Sequence, residues 1–347
     1  MKFNMNIIFC SSMSSQLGAN LALKTNGGES GFNIVIGINP EVNKYEQLST
    51  DVDFTGKHCI RIHLNNKILS IIVPAILVTI ASIIPINIKY YLPRPHWLRL
   101  DCFERFRAKD TVYYGDGFAH LCLTSAPFWI NHHNYKKREL NFTKNALFIY
   151  CYALSSTVIP KKGIQIGRED VLAYLRDVQI NGIKKFPVEK INGKMVLIFP
   201  TTTFSSTGRM TEEDEFSLYY EAIIKILSSN EWIQEVLIKP HPGCSIKYIK
   251  KIKDRLSQVL PICRLELSEY IFLSSLPLEL LIPLLSNNCI FLAVTSTGAA
   301  FTASLYKDLS LRKEVLFDQS QLKTRLNNSN LKSRMRQQIE MQILISK

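Results

Sequence analysis

The sequence predicts an α/β protein made of two parallel-sheet units, and three observations carry that expectation. Short apolar runs rich in Ile, Val and aromatic residues alternate with helix-capable stretches along most of the chain, a pattern that builds a parallel sheet covered on both faces. Polar residues cluster just past the ends of those runs, at Ser11-Ser12, Gly115-Asp116-Gly117, Thr201 to Gly208, Lys239-Pro240-His241 and Thr295-Ser296-Thr297. Strand C-termini are where open α/β sheets bind ligands. Lys184 to Lys194, with Pro187 and Gly193, reads as a linker between two halves. The expected division is a first domain over 1–185, a second over 194–306, and a polar, basic tail over 307–347 that closes the fold with helices.

In the first half, Asn6 to Cys10 is a short strand, and helix-capable chain follows through Leu21-Ala22-Leu23. Phe32 to Ile38 is a second strand, ending at Asn39-Pro40, and Cys59 to Leu64 a third. Ile68 to Ala81 suits a helix, Ile86 to Leu92 a strand, and Thr111 to Tyr114 a strand that runs into Gly115-Asp116-Gly117. In the second half, Lys194 to Phe199 is an apolar strand ending at Pro200. Thr211 then caps a helix whose first turn holds Glu212, Glu213 and Asp214, which suits the helix dipole. That helix sends Leu218, Ala222, Ile223 and Leu227 toward one face. Glu235 to Ile238 is the next strand, Ser245 opens a basic helix over Ile246 to Leu256, and Pro277 begins another. Cys289 to Val294 is a strand, with helix again from Gly298.

At 347 residues, 46% hydrophobic and 20% charged, the chain has ample material for buried cores, which excludes a disordered protein. The 42 Lys and Arg exceed the 29 Asp and Glu, for a net charge of +13. That excess favours acidic company: nucleotide phosphates, an acidic glycan or an anionic membrane surface. Nucleic acid is not an expected partner, because no helix-turn-helix, aromatic-and-basic RNA motif or zinc finger is present. The eight cysteines are scattered through apolar segments, with no CxxC pair and no zinc-like His spacing. They read as reduced cysteines of a cytoplasmic protein, one compatible with a peripheral place at the inner membrane. Ile7 to Cys10 is too short for a signal peptide. Ile68 to Ile88 holds twenty-one residues without a charge, long enough to span a bilayer. Pro74, Pro85 and the wealth of Ile and Val favour buried helix and strand instead.

Lys239-Pro240-His241-Pro242 is the most informative tetrapeptide, since its prolines stiffen the backbone around His241 and remove two amide donors. Such a turn at a strand end holds an ammonium and an imidazole in fixed directions, although a proline-rich turn with an incidental histidine has the same letters. Ser296 and Thr297, followed by Gly298, place hydroxyls and free amides at a helix start, which suits either an anion or plain capping. Glu279 behind Pro277 suits dipole matching, or a carboxylate that accepts bonds from two vicinal ribose hydroxyls.

Taken in order, these motifs resemble those of the bacterial sialyltransferases and polysialyltransferases, most closely the capsule-type alpha-2,8-polysialyltransferase branch. That family has an acidic motif ending in glycine, then a histidine-proline pair, then a pair of hydroxyls. Here Gly115-Asp116-Gly117, His241-Pro242 and Ser296-Thr297 correspond, over about residues 110 to 305. The resemblance implies the GT-B architecture, two Rossmann-like domains facing a central cleft. It also implies an inverting, metal-independent glycosyltransferase without a cofactor, moving a sialic acid or related nonulosonic acid from a CMP-activated sugar to a glycan or glycolipid acceptor in capsule or lipopolysaccharide synthesis. Asp116 would be the base and His241 the acid, with Lys239, Pro242, Glu279, Ser296 and Thr297 binding the donor. One departure is plain: where the family often carries its acid, this chain has Gly115, so Glu104, Asp110 and His120 stand as other bases. A CMP-Kdo or CDP-glycerol transferase of the same architecture is the near alternative. A basic binding protein for nucleic acid or membrane, or a degenerate transferase, is the distant one.

Overall fold

The computed structural model describes residues 4–10, 13–28, 31–37, 58–64, 69–83, 87–93, 111–114, 147–150, 164–182, 196–201, 204–205, 208, 210–241, 244–260, 263–264, 277–281, 289–292 and 312–314. The chain divides into two compact units. One comprises Met1–Ala153 with Val158–Gly182, the other Leu154–Thr157 with Ile183–Lys347.

In the first unit, β1 (Asn4–Cys10), β2 (Phe32–Gly37), β3 (His58–His63), β4 (Asn87–Leu92), β5 (Thr111–Tyr113), β6 (Leu147–Tyr150) and β7 (Ile164–Gln165) form one sheet in the order β3-β2-β1-β4-β5-β6-β7. All its pairings are parallel, with Ile7 of β1 opposite Ile34 on one side and Tyr90 on the other. Flanked by strands on both edges, β1 buries Ile7, Ile8, Phe9 and Cys10 as one apolar run, the mark of a strand covered on both faces. Helix α1 (Met13–Thr25) buries Leu17, Leu21 and Leu23, and its end is made by Gly27, whose φ of 64° only glycine adopts without strain. Helix α2 (Leu69–Ile83) occupies most of the uncharged stretch between β3 and β4. No helix among the described residues is long and apolar enough to cross a membrane. Helix α3 (Arg168–Gly182) buries Val171, Leu172, Leu175 and Val178 at helical spacing, and its Tyr174 hydroxyl accepts from Asn20 Nδ2 at 2.9 Å.

In the second unit, β8 (Val196–Pro200), β9 (Glu235–Lys239), β10 (Cys263–Arg264), β11 (Cys289–Leu292) and β12 (Arg312–Glu314) form a parallel sheet in the order β10-β9-β8-β11-β12. Helices α4 (Glu212–Ser229) and α5 (Ile246–Val259) and the short α6 (Leu278–Leu281) complete its described elements. Thr211 caps α4, its hydroxyl accepting from the Asp214 amide, and Ser245 caps α5 in the same way through Tyr248. Residues 307–347 contribute a strand, β12, where composition suggested helices; the rest of that stretch lies outside the described residues.

Each sheet therefore has the Rossmann sequence of strands, two stepping one way from its first strand and the rest stepping the other. The reversal falls between β1 and β4 in the first unit and between β8 and β11 in the second. A crevice forms at such a reversal, past the strand C-termini, because successive crossovers leave on opposite faces.

Candidate site at the strand ends of the second unit

The C-terminal ends of β8 and β9 lie side by side, Pro200 opposite Lys239. The next residues are sewn together rather than left as open loops. The Thr201 amide donates to the Lys239 carbonyl at 2.9 Å, and the His241 amide donates to Thr201 Oγ1 at 2.9 Å. Thr201 Oγ1 also lies 3.6 Å from the Cys244 sulfur. The amide of Cys244 closes the turn onto the His241 carbonyl at 2.9 Å, and Ser245 at once caps α5. The histidine-proline segment is thus a hydrogen-bonded turn between a strand end and a helix start, as its prolines suggested.

Lys239 is buried, and its ammonium donates to the Pro240 carbonyl at 3.1 Å. Burial pulls its pKa down to about 7, against the pull of the Glu279 carboxylate in the other direction. Glu279, also buried, therefore acts on Lys239 electrostatically across the gap between α6 and β9. His241 keeps solvent-exposed surface, yet desolvation and the Lys239 charge lower its pKa to about 4. At neutral pH the imidazole is uncharged. It offers an N–H as a hydrogen-bond donor rather than a ready proton, and an anion brought to the turn would raise its pKa.

Beneath this turn sits a residue that the sequence reading passes over. Glu215, fully buried on the core face of α4, accepts hydrogen bonds from the Phe204 and Ser205 amides at 3.0 Å each. It also accepts from the Ser205 hydroxyl and from the Tyr219 and Tyr248 hydroxyls, the last two at 2.7 Å. One carboxylate thus binds the loop after β8 to α4 and to α5. Burial and this bond push the Tyr248 hydroxyl's pKa well up, so it remains a donor. A signal existed in the sequence: Glu215 falls four residues before Tyr219 and eight before Ile223, on the stripe that faces the core. An acid at such a place needs donors. Three other acids at the start of α4 masked it.

The basic residues of α5 are not all available to a ligand. Lys251 pairs with Glu212 at 2.6 Å, and Arg255 grips Glu213 through two bonds of 2.7 Å while lying 3.6 Å over the Phe216 ring. That contact holds the exposed Glu213 carboxyl below the usual range.

Of the residues singled out in the sequence, the structure brings Lys239, His241 and Glu279 into one electrostatic group. Pro242, Ser296 and Thr297 lie outside the described residues. Asp116 and its flanking glycines are likewise outside them, as are Glu104, Asp110 and His120. In the first unit, Tyr114 stands just before that motif. Its amide donates to the Leu92 carbonyl at 3.0 Å, and its hydroxyl crosses to the Phe9 carbonyl at the end of β1. Burial pushes the nearby Cys10 thiol up to about 12, which rules it out as a nucleophile at neutral pH.

No protein-family model matches this sequence, and no curated protein sequence matches it. Solved structures do. The UDP-GlcNAc 2-epimerase from Methanocaldococcus jannaschii matches with a TM-score of 0.51 at 10% identity, over 99% of this chain and 93% of its own. A protein from Listeria monocytogenes, described as a UDP-N-acetylglucosamine 2-epimerase, matches with a TM-score of 0.50 at 8% identity, over 100% and 91%. At such identities the likeness is one of fold: the chain is a parallel α/β protein of Rossmann-like architecture, with structural neighbours of the GT-B type.

Proposed function

We propose that this chain is an enzyme acting on a sugar nucleotide, and that it transfers a sialic acid or related nonulosonic acid from a CMP-activated donor to a glycan acceptor. The observation that carries the reading is the grouping of Lys239, His241 and Glu279 at a strand end of a Rossmann-ordered sheet. The fold likeness to proteins named for a UDP-sugar supports the coarser part, a sugar nucleotide as substrate. The order of motifs supports the finer part.

The steps follow from the residue chemistry. Glu279 accepts hydrogen bonds from the ribose hydroxyls, and Ser296 and Thr297 hold the phosphate at a helix start. The bond between the anomeric carbon and the phosphate oxygen breaks, and its electron pair leaves with CMP. Already stable as an anion, that leaving group needs little more than the His241 N–H and the Lys239 charge beside it. The acceptor hydroxyl attacks the opposite face and gives its proton to a carboxylate, assigned to Asp116, so the anomeric centre inverts. Asp116→Asn is expected to lower kcat by about 100-fold to 10,000-fold, the usual worth of a general base. Nucleotide binding should stay unchanged. Full transfer activity in folded Asp116→Asn would reassign the base.

The fold likeness favours one second reading, in which the substrate is a UDP-linked amino sugar. A thermal-shift panel of CMP, CMP-sialic acid, CDP, UDP, GDP and UDP-GlcNAc separates the two. At about 100 times its Kd a ligand adds roughly 2.7 kcal/mol of stability. A shift with the CMP species, weakened in His241→Ala, is the expected result. A shift with UDP and UDP-GlcNAc alone would favour the second reading, and no shift with any nucleotide would remove both.

A further inference from the structure

Helix α2 carries an exposed apolar stripe along its whole length. Leu69, Ile72, Ile76, Ile80 and Ile83 are between 46% and 78% exposed, and steps of three and four residues line them up on one face. A helix with no charge in 15 residues is expected to be buried, so this face needs a partner. Two observations choose the partner. First, the helix is about 22 Å long at 1.5 Å per residue, short of a bilayer's apolar core of about 30 Å, so it can lie on a membrane but not cross one. Second, the surrounding segment is charged with one sign only. From residue 54 to residue 100 the sequence has no Asp or Glu, but has Lys57, Arg61, Lys67, Lys89, Arg94 and Arg99.

We propose that α2 docks the first unit on an anionic lipid bilayer, with its Leu and Ile side chains among the acyl chains and the flanking basic residues at the headgroups. The combination is the one that interfacial binding requires, apolar area together with attraction to anionic lipid. A second copy of the chain fits less well. A twofold contact places the same patch against itself and so brings two segments of purely positive charge together.

The test is flotation of the full chain with vesicles of phosphatidylcholine alone, or mixed with phosphatidylglycerol. The wild type is expected to float with the mixed vesicles at least about tenfold better than with the neutral ones, less so as salt rises. Ile72→Ser/Ile76→Ser/Ile80→Ser should abolish flotation with an unchanged Tm, since the replaced side chains are exposed. Lys67→Glu/Arg94→Glu, which leaves the stripe intact, should erase the preference for anionic lipid. No flotation, equal flotation with both lipids, or unchanged flotation of either variant would overturn the proposal. So would a dimer in solution that the serine variant dissolves, because the stripe would then belong to a second copy.

Discussion

Glu215→Ala is expected to lower the unfolding free energy of the second unit by about 3 kcal/mol, because it strands several buried hydrogen-bond donors at once. The side chain accepts two amide and three hydroxyl hydrogen bonds from three segments of chain. Alanine would leave those donors in a space that Glu215 now fills, and each unpaired buried donor costs about 1–3 kcal/mol unless water enters. Glu215→Gln preserves the volume but turns one acceptor oxygen into an amide donor, which faces donors on either side, so it should also destabilise, by less. Urea denaturation gives the free energies. Hydrogen exchange gives the location: protection should fall first at Phe204 and Ser205 and at the start of α5. Because the loop after β8 borders the sheet's reversal point, the nucleotide-induced thermal shift should shrink in both variants. A loss of protection spread evenly over the unit would mean that the carboxylate supports the core in general and not this loop.

Glu279→Gln should have the second large effect, and one that depends on pH. Lys239 normally titrates near 10.5 and here near 7, so folding expels its proton between those values. The unfolded chain binds more protons there, and stability from this group rises as pH climbs from about 7 to 10.5. Below about 7 the penalty of burying the ammonium is fully present. The Glu279 charge offsets part of that penalty, since it is what pulls the Lys239 pKa upward against desolvation. Glutamine removes the offset. The cost is expected to be larger near pH 6 than near pH 9 by about 1 kcal/mol, because Lys239 without the offset sheds its proton instead of staying charged, and one pH unit is worth about 1.4 kcal/mol. Urea midpoints at the two pH values provide the comparison. Equal costs at both would show that Lys239 does not feel the Glu279 charge.

These two glutamates differ in how far the sequence revealed them. Glu279 stands behind a proline at a helix start, a local pattern that can be read in one line, although dipole matching explains it as well. Glu215 belongs to no motif. Its partners lie 4, 10, 11 and 33 residues away, and only the folded unit brings them to one carboxylate. The strands show the same division. Runs such as Asn4–Cys10, Phe32–Gly37, Asn87–Leu92, Val196–Pro200 and Glu235–Lys239 are long enough for their composition to declare them. At two or three residues, β7, β10 and β12 exist because a neighbouring strand offers them a ladder, and no window of sequence contains that neighbour. Helix α3 has a legible period, but no polar strand-end motif marks it.

What the sequence determined by itself was local: the parallel α/β class, the places of the longer strands, the caps at Thr211 and Ser245, and the rigid turn around His241. Periodicity, capping and proline geometry act within a few residues, so they are written in order along the chain. Strand order, with its reversal beside β8, was decided by tertiary structure, as were the lowered pKa values of Lys239 and His241 and the anchoring of a loop by Glu215. Each of these depends on burial or on charges brought together across long stretches of chain, and neither exists until the sheet has closed around them.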